Sequence, residues 1–152
     1  MSVESMQAIA GETGGTVTEG KKAVFLVVAR EKVPEACAKV AAMPGFYHLS
    51  TITALDMGDQ IAVLYHFWKG KTFAVVKTTV PKNDARIPSI TAAVPAAVFY
   101  EAEVKDLMGV FFDGNPYMKG RFVLPDEYPA DAPAPLRKEA DPAKIRKMLK
   151  LE

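Results

Sequence analysis

Three acids, Glu101, Glu103 and Asp106, form the most suggestive group of side chains for acid–base chemistry in this sequence. Two carboxylates can act as acid and base when burial separates their pKa values. On a helix, however, residues two apart point about 200° apart, so Glu101 and Glu103 cannot share one proton. Each is expected to face its own partner, such as a basic side chain or a backbone amide. Judged from these residues alone, solvated helix charge is the simpler interpretation. A small stand-alone enzyme with Glu101 or Asp106 as general base is the alternative.

The residues that could hold a metal or a redox centre are Cys37, His48 and His66. An iron–sulfur cluster usually takes four thiolates, or two thiolates with two histidines, and a structural zinc site takes four Cys or His ligands. The three residues also lack the paired spacing of such sites. We therefore interpret them as a buried helix cysteine and two strand histidines with local hydrogen bonds. The sequence predicts no catalytic residue, cofactor or metal in this chain.

The composition is that of one soluble globular domain, with 152 residues of which 49% are hydrophobic and 24% charged. The net charge of +1 does not favour nucleic acid or an anionic membrane as partner. Apolar runs such as residues 23–29 are strand-sized, well below the roughly 20 residues of a membrane helix. The first residues do not have the pattern of a signal peptide. Any membrane association is therefore expected to depend on other chains.

Periodicity predicts an α+β fold. Residues 3–12 and 33–41 have helical spacing, and the continuous apolar run 23–28 is typical of a strand covered on both faces. Strand-like runs at 46–56, 60–68 and 71–80 are separated by short turns that contain Gly58 and Gly70, which predicts an antiparallel meander. We expect the helices to pack on one face of this sheet.

The second half of the chain is predicted to contain a loop, a helix and a tail. Residues 81–89 are polar with prolines at both ends, which indicates an irregular loop. After Pro95 an apolar helical face runs to Met108, with Gly109 as the cap and Glu101–Lys105 as an i,i+4 pair. From residue 126 the sequence is rich in proline and charge, and it ends in a short basic helix at 143–151. We therefore divide the chain into a domain at 1–125 and an extended partner-binding tail at 126–152.

Residues 99–125, FYEAEVKDLMGVFFDGNPYMKGRFVLP, and the later APLRK at 134–138 form an ordered string that is far more specific than any short motif. It resembles the signature of the thirty-kilodalton subunit family of respiratory complex I (NADH-quinone oxidoreductase) and of the related membrane-bound, energy-converting NiFe hydrogenases. The blocks HLSTITALDMGDQIAVLYHF and VPKNDARIPSIT also resemble this family, so the likeness covers nearly the whole chain. The matching residues are Glu101, Glu103, Asp106, Leu107, Gly109, Gly114, Pro116, Arg121, Leu124, Pro125, Pro135, Leu136, Arg137 and Lys138.

The sequence departs from the family pattern at several positions. Asn115 replaces the usual histidine, Lys105 a usual aromatic residue and Ala102 a usual arginine, and the basic turn is reduced to Lys119-Gly120-Arg121. These departures indicate a divergent branch. The short format and the PSIT segment are more similar to the corresponding chain of energy-converting hydrogenases than to that of a bacterial NADH dehydrogenase.

The resemblance implies a structural subunit. In this family the chain carries no metal or flavin and packs against the large, NiFe-hydrogenase-like subunit, near the small iron–sulfur subunit. Iron–sulfur clusters and the NiFe or quinone site belong to those partners, and the complex holds the chain at the cytoplasmic side of the membrane. A transient assembly factor is a further alternative.

A physical role can be proposed for the matching residues. Gly109 and Gly114 permit turns that side chains would block, and Pro116 and Pro125 stiffen the loop between them. Arg121, Arg137 and Lys138 are expected to bind carboxylates, either Glu101, Glu103 and Asp106 of this chain or acids of the large subunit. With Pro135 and Leu136, these residues are the predicted interface.

Overall fold

A five-stranded mixed sheet forms the centre of the protein, in a computed structural model that describes residues 3–46 and 48–150. The strand order is β1-β2-β5-β4-β3; β2 runs parallel to β5, and the other neighbours are antiparallel. The strands are β1 (Thr16–Glu19), β2 (Ala23–Val27), β3 (His48–Asp56), β4 (Gln60–Lys69) and β5 (Thr72–Pro81).

Three helices supply the second layer and a fourth lies in the C-terminal segment. They are α1 (Val3–Thr13), α2 (Val33–Ala42), α3 (Ala97–Met108) and α4 (Pro142–Met148). Two three-residue strands, β6 (Arg86–Pro88) and β7 (Phe111–Asp113), form a separate parallel pair. The predicted α+β class is confirmed, and so is the β3-β4-β5 meander.

One face of the sheet carries the core. In β4, Ile61, Val63, Tyr65 and Phe67 are fully buried under the helices, whereas Trp68 is 42% exposed. The strand β2 alternates in the same way, because Val24 and Leu26 are buried while Phe25 is only half-buried. The prediction that β2 is covered on both faces was therefore wrong. On the other face Ala23, Phe25 and Val27 are only half-buried, so a continuous apolar sequence does not require burial of both faces.

The segment that was predicted to be an irregular loop contains part of the core. Ile87 of β6 and Phe112 of β7 are paired and fully buried. Arg86 and Asp113 form an ion pair beside them. No local turn joins these two strands, since α3 lies between them in sequence, and such distant pairing leaves no pattern in either strand. The pair brings residues 89 and 90 against α3.

The C-terminal segment has no helix or strand between residue 119 and α4. The predicted basic helix forms at Pro142–Met148, and the side chain of Asp141 caps it by accepting from the Ala143 N–H at 2.9 Å. Leu151, the predicted end of this helix, lies outside the described residues.

Among the helices of the described ranges, none has the length and apolar character that a membrane crossing requires.

Tyr65 provides a test of the core. Its hydroxyl group is fully buried and has no hydrogen-bond partner in the described part of the chain. Burial of an unpaired hydroxyl is unfavourable, so we expect Tyr65→Phe to raise the free energy of unfolding by about 1 kcal/mol. Urea denaturation measures this change. The matched control is Tyr128→Phe, which removes a hydroxyl that donates to the Pro133 carbonyl at 2.7 Å and should lower stability. If both variants were less stable than the wild type, the Tyr65 hydroxyl could not be an unpaired buried group.

Candidate partner-docking site

Glu101 lies in the core beneath α3, with no exposed surface. Its Oε1 accepts from the Ile90 N–H at 2.9 Å, and its Oε2 accepts from Ser89 Oγ at 2.7 Å and from Asn115 Nδ2 at 2.8 Å. Burial raises the pKa of Glu101, and these hydrogen bonds offset only part of the effect. The carboxyl group therefore joins α3 to the segment after β6 and to the turn after β7.

Asp106, further along α3, is 2% exposed. Its Oδ2 accepts from three consecutive backbone N–H groups, those of Phe122, Val123 and Leu124, at 2.7, 2.8 and 3.1 Å. Burial opposes its ionisation, but the hydrogen bonds outweigh this and hold the pKa of Asp106 below its usual value. This carboxylate thus binds the chain at 122–124 to the helix.

Lys105 supplies the cation for Asp106. Its Nζ donates to Asp106 Oδ1 at 3.0 Å and also to the Gly120 carbonyl, and the residue is only 9% exposed. The predicted surface pair between Glu101 and Lys105 is wrong, as is the interpretation of Glu101 and Asp106 as solvated charge. Both corrections have the same cause, since α3 is covered on several sides by segments that are distant in sequence. The expectation of a backbone amide partner is met for both acids.

Arg137 caps the C-terminal end of α3. Its Nε donates to the Met108 carbonyl at 2.8 Å and its Nη2 to the Gly109 carbonyl at 3.2 Å. Gly109 has a φ of 67°, and a Cβ there would lie 2.9 Å from Arg137 Nη2. The adjacent Leu136 N–H donates to the Leu107 carbonyl at 3.0 Å. A cation at a helix C-terminus also interacts favourably with the helix dipole.

The predicted pairing of the basic residues with the three acids of α3 is not found in the described residues. Arg121 donates to the Tyr128 carbonyl at 3.3 Å and its guanidinium lies 5.5 Å from the centre of that ring. The Lys138 backbone N–H donates to Asp56 at 2.9 Å. The intrachain half of the hypothesis was therefore wrong, because backbone N–H groups and other neighbouring side chains already satisfy Glu101 and Asp106.

Asp56 and Lys82 were missed by sequence reasoning. Lys82 Nζ lies 2.6 Å from Asp56 Oδ2 and 2.6 Å from Glu139 Oε2. The ammonium group of Lys82, with the N–H groups of Lys138 and Gly58, holds the pKa of Asp56 well below its usual range. The contact anchors the C-terminal segment on the β3–β4 turn. In the sequence, Asp56 is a single acid before a glycine turn, and nothing in this local pattern predicts its contact with Lys138, which is distant along the chain.

The other predicted interface residues lie around α3. Gly114 has a φ of 100° and Pro116 begins a short 3₁₀-helix, Pro116–Met118. Glu103 is half-buried, and Leu136 is 61% exposed; both border a shallow cavity beside β3. Pro125 is exposed and Pro135 half-buried. Their role in binding a partner stays a prediction, and so does the boundary at residues 125 and 126.

Cys37, His48 and His66 do not come together. Cys37 is fully buried, and burial raises the pKa of its thiol. His66 Nε2 lies 2.9 Å from Thr53 Oγ1, and His48 packs edge-on against Trp68. Within residues 3–46 and 48–150, no cluster of three or more His, Cys, Asp or Glu side chains is placed to hold a metal ion.

Asp106→Asn should lower the free energy of unfolding by about 3 kcal/mol at pH 7, since it replaces the acceptor of three N–H groups and leaves Lys105 buried without its anion. Folding depresses the pKa of Asp106, so its carboxylate stabilises the folded state fully at pH values above the ordinary pKa of 3.8. This stabilisation is lost as the pH falls through the lower pKa of the folded state. Urea denaturation of the wild type and of Asp106→Asn, from pH 7 downwards, should show that the difference between their free energies of unfolding decreases as the pH falls. Asp113→Asn, at an exposed ion pair, is the control and should change stability by under about 1 kcal/mol. An equal effect of both substitutions would refute the special role of Asp106.

Arg137→Ala should lower stability by about 2 kcal/mol in the isolated chain, because two carbonyls at the end of α3 lose a charged donor. Lys138→Ala is the matched control. Its contact to Asp56 uses the backbone N–H, so its stability should change by less than about 0.5 kcal/mol. Thermal unfolding of both variants measures the difference. Equal stabilities would show that Arg137 does not cap the helix.

Comparison with known proteins agrees with this fold. The family model described as the 30 kDa subunit of respiratory-chain NADH dehydrogenase matches residues 26–146. The chain is 34% identical over 127 residues to the C subunit of NADH-quinone oxidoreductase from Moorella thermoacetica, covering 81% of this chain and 83% of that one. It is 42% identical over 76 residues to Hydrogenase-4 component G of Escherichia coli, which is 50% of this chain but only 13% of that relative.

Two solved structures are also similar. A chain of the membrane-bound sulfane sulfur reductase, an archaeal respiratory membrane complex, superposes with a TM-score of 0.80 at 28% identity over 97% of this chain and 90% of that one. A trypsin-resistant fragment of Nqo5 gives a TM-score of 0.63 at 31% identity over 76% of this chain and 98% of the fragment. This chain therefore belongs to the family of the 30 kDa subunit of respiratory-chain NADH dehydrogenase.

Proposed function

We propose that this chain is a non-catalytic structural subunit in the peripheral arm of a membrane-bound, ion-translocating oxidoreductase, docked on a large hydrogenase-like subunit. The observation that carries the proposal is the family match over residues 26–146. Relatives in this family are named as subunits of NADH-quinone oxidoreductase and as a hydrogenase component. In the hydrogenase component, the matching part is a small fraction of a much longer polypeptide. A domain of this kind thus occurs covalently joined to additional protein.

The contacts of the acids support a structural role over a catalytic one. Glu101 and Asp106 have hydrogen bonds from this chain to both of their oxygens. A general base needs a lone pair that can reach a substrate proton. Both carboxylates instead face buried groups of this chain, so the alternative of a stand-alone enzyme with either acid as base loses its main support.

The partners follow from the family. We propose the large NiFe-hydrogenase-like subunit and the small iron–sulfur subunit as neighbours, with the clusters and the NiFe or quinone site in those chains. The chain would then lie at the cytoplasmic side of the membrane through its partners. Both a chain of a sulfane sulfur reductase complex and a fragment of Nqo5 share this fold, so the choice between a hydrogenase-like branch and an NADH-quinone branch rests on the PSIT segment and the short format of the sequence.

The C-terminal helix is a candidate docking element. Lys144 and Lys147 lie on one side of α4, and Ile145 and Met148 lie on the other, followed by Leu149 at the C-cap. Met148 is 43% exposed, whereas Ile145 and Leu149 are half-buried, so the described part of this chain covers the apolar side of α4 only in part. A basic, amphipathic helix of this kind suits an acidic surface with an apolar groove.

Lys144→Glu combined with Lys147→Glu should reduce the amount of large subunit that co-purifies with the tagged chain from its native cells, because both exposed positions would then repel an acidic surface. Quantitative mass spectrometry of the purified complex measures the ratio, and we expect a loss of at least about tenfold at physiological salt. Lys21→Glu with Lys22→Glu, in the exposed β1–β2 turn, makes the same charge change as control. An equal loss in the control would refute a specific role of α4.

The wild-type chain tests the function itself. Stable presence of the large subunit at a fixed ratio in the mature complex supports the structural role, whereas recovery only in immature complexes indicates an assembly factor. Turnover by the isolated chain would favour the enzyme alternative. Arg137→Ala is unsuitable for this purpose, since loss of the α3 cap would lower stability whatever the partner does.

A further inference from the structure

Three exposed rings on and beside α3 pack together, and with the neighbouring exposed Val123 we name them the aromatic platform: Phe99, Tyr117, Phe122 and Val123. They are 49%, 49%, 45% and 49% exposed. The rings of Phe99 and Phe122 stack with centroids 5.3 Å apart, and Tyr117 packs edge-on against Phe99 at 5.4 Å. Single exposed apolar residues are ordinary, but a contiguous aromatic group marks an interaction surface. Aromatic residues are enriched at protein interfaces, where a few side chains contribute most of the binding energy.

The two buried acids hold this platform in place. Asp106 accepts from the N–H groups of Phe122 and Val123, so the backbone of both residues is bound to α3 while their side chains lie outside. Asn115 links Glu101 to the third aromatic residue, since its Nδ2 donates to Glu101 and its Oδ1 accepts from the Tyr117 N–H at 2.8 Å. A surface that is already ordered loses less conformational entropy on binding. The platform is therefore preorganised for docking.

The charge between the aromatic residues indicates what kind of surface they meet. Residues 117–123 contain two exposed cations, Lys119 and Arg121, and no acid. A second copy of this chain would place like charges opposite each other in a two-fold contact, which is unfavourable. A partner with an apolar recess bordered by carboxylates has complementary charge.

We infer that the aromatic platform inserts into an apolar, carboxylate-bordered recess on the large subunit and forms the energetic centre of that contact. This inference rests on the proposed function, because it names the surface through which the docking takes place. It assigns the two buried acids a positioning role: they present the rings and do not touch the partner. The exposed residues of the platform, rather than the acids, should therefore determine affinity.

Photo-crosslinking in the assembled complex tests the partner. The variant Phe122→p-benzoylphenylalanine keeps an aromatic ring on the platform, and Leu55→p-benzoylphenylalanine places the same group on the edge strand β3, where Leu55 is 58% exposed. We expect irradiation to join the chain to the large subunit through position 122 and with lower yield through position 55. Cross-links from position 122 to a second copy, to another subunit or to lipid would overturn the inference.

Affinity variants test the energetic role. Phe122→Ser should weaken binding of the large subunit about 30-fold, the effect of a typical hot-spot residue. Leu55→Ser is the matched control and should change binding less than about threefold. Unchanged thermal unfolding of both variants would exclude a folding defect. If wild-type chain binds the large subunit and Phe122→Ser binds equally well, only the platform is refuted. If the wild-type chain does not bind it, the proposed function fails instead.

Discussion

A carboxylate removed from water has to be hydrogen-bonded, and this constraint determines the organisation of the second half of the protein. Glu101 and Asp106 leave solvent on the same helix. Their hydrogen-bond partners are mostly backbone N–H groups and neutral side chains, with Lys105 as the cation that contacts Asp106. Because backbone donors have fixed positions, each acid orders the segment that surrounds it. Residues 89–90, 115 and 122–124 are placed in this way.

The helix α3 therefore acts as a hub for segments that have little regular structure of their own. Its buried side chains bind the loops before and after it, and its C-terminal carbonyls bind Leu136 and Arg137. Lys82 and Asp56 hold the next part of the chain on the β3–β4 turn. A proline-rich segment with no hydrophobic core of its own can be ordered by such polar contacts, provided that each buried group is paired.

This arrangement separates residues that stabilise the chain from residues that are available to a partner. Glu101, Asp106, Arg137 and Asn115 face inwards and make their hydrogen bonds within this chain. Phe99, Tyr117 and Phe122 lie in the same segment of the chain but face outwards, and they are not among the residues that match the family signature. Asn115 in place of the usual histidine is compatible with this arrangement, since its amide still donates to Glu101 and accepts from Tyr117.

Local patterns were sufficient to predict the helices α1, α2 and α3, the three-stranded meander and the α+β class, because apolar periodicity and glycine turns are encoded within a few residues. The resemblance in residues 99–138 also indicated the family from sequence alone. The β6–β7 pair, the one-sided burial of β2 and the environments of Glu101, Lys105 and Asp106 could not be predicted in this way. Each depends on segments that are distant along the chain and meet only in the folded protein. The local sequence around a helical acid such as Asp106 is the same whether its carboxylate is surrounded by water or by three backbone N–H groups. Only the tertiary structure decides which of these environments the carboxylate has.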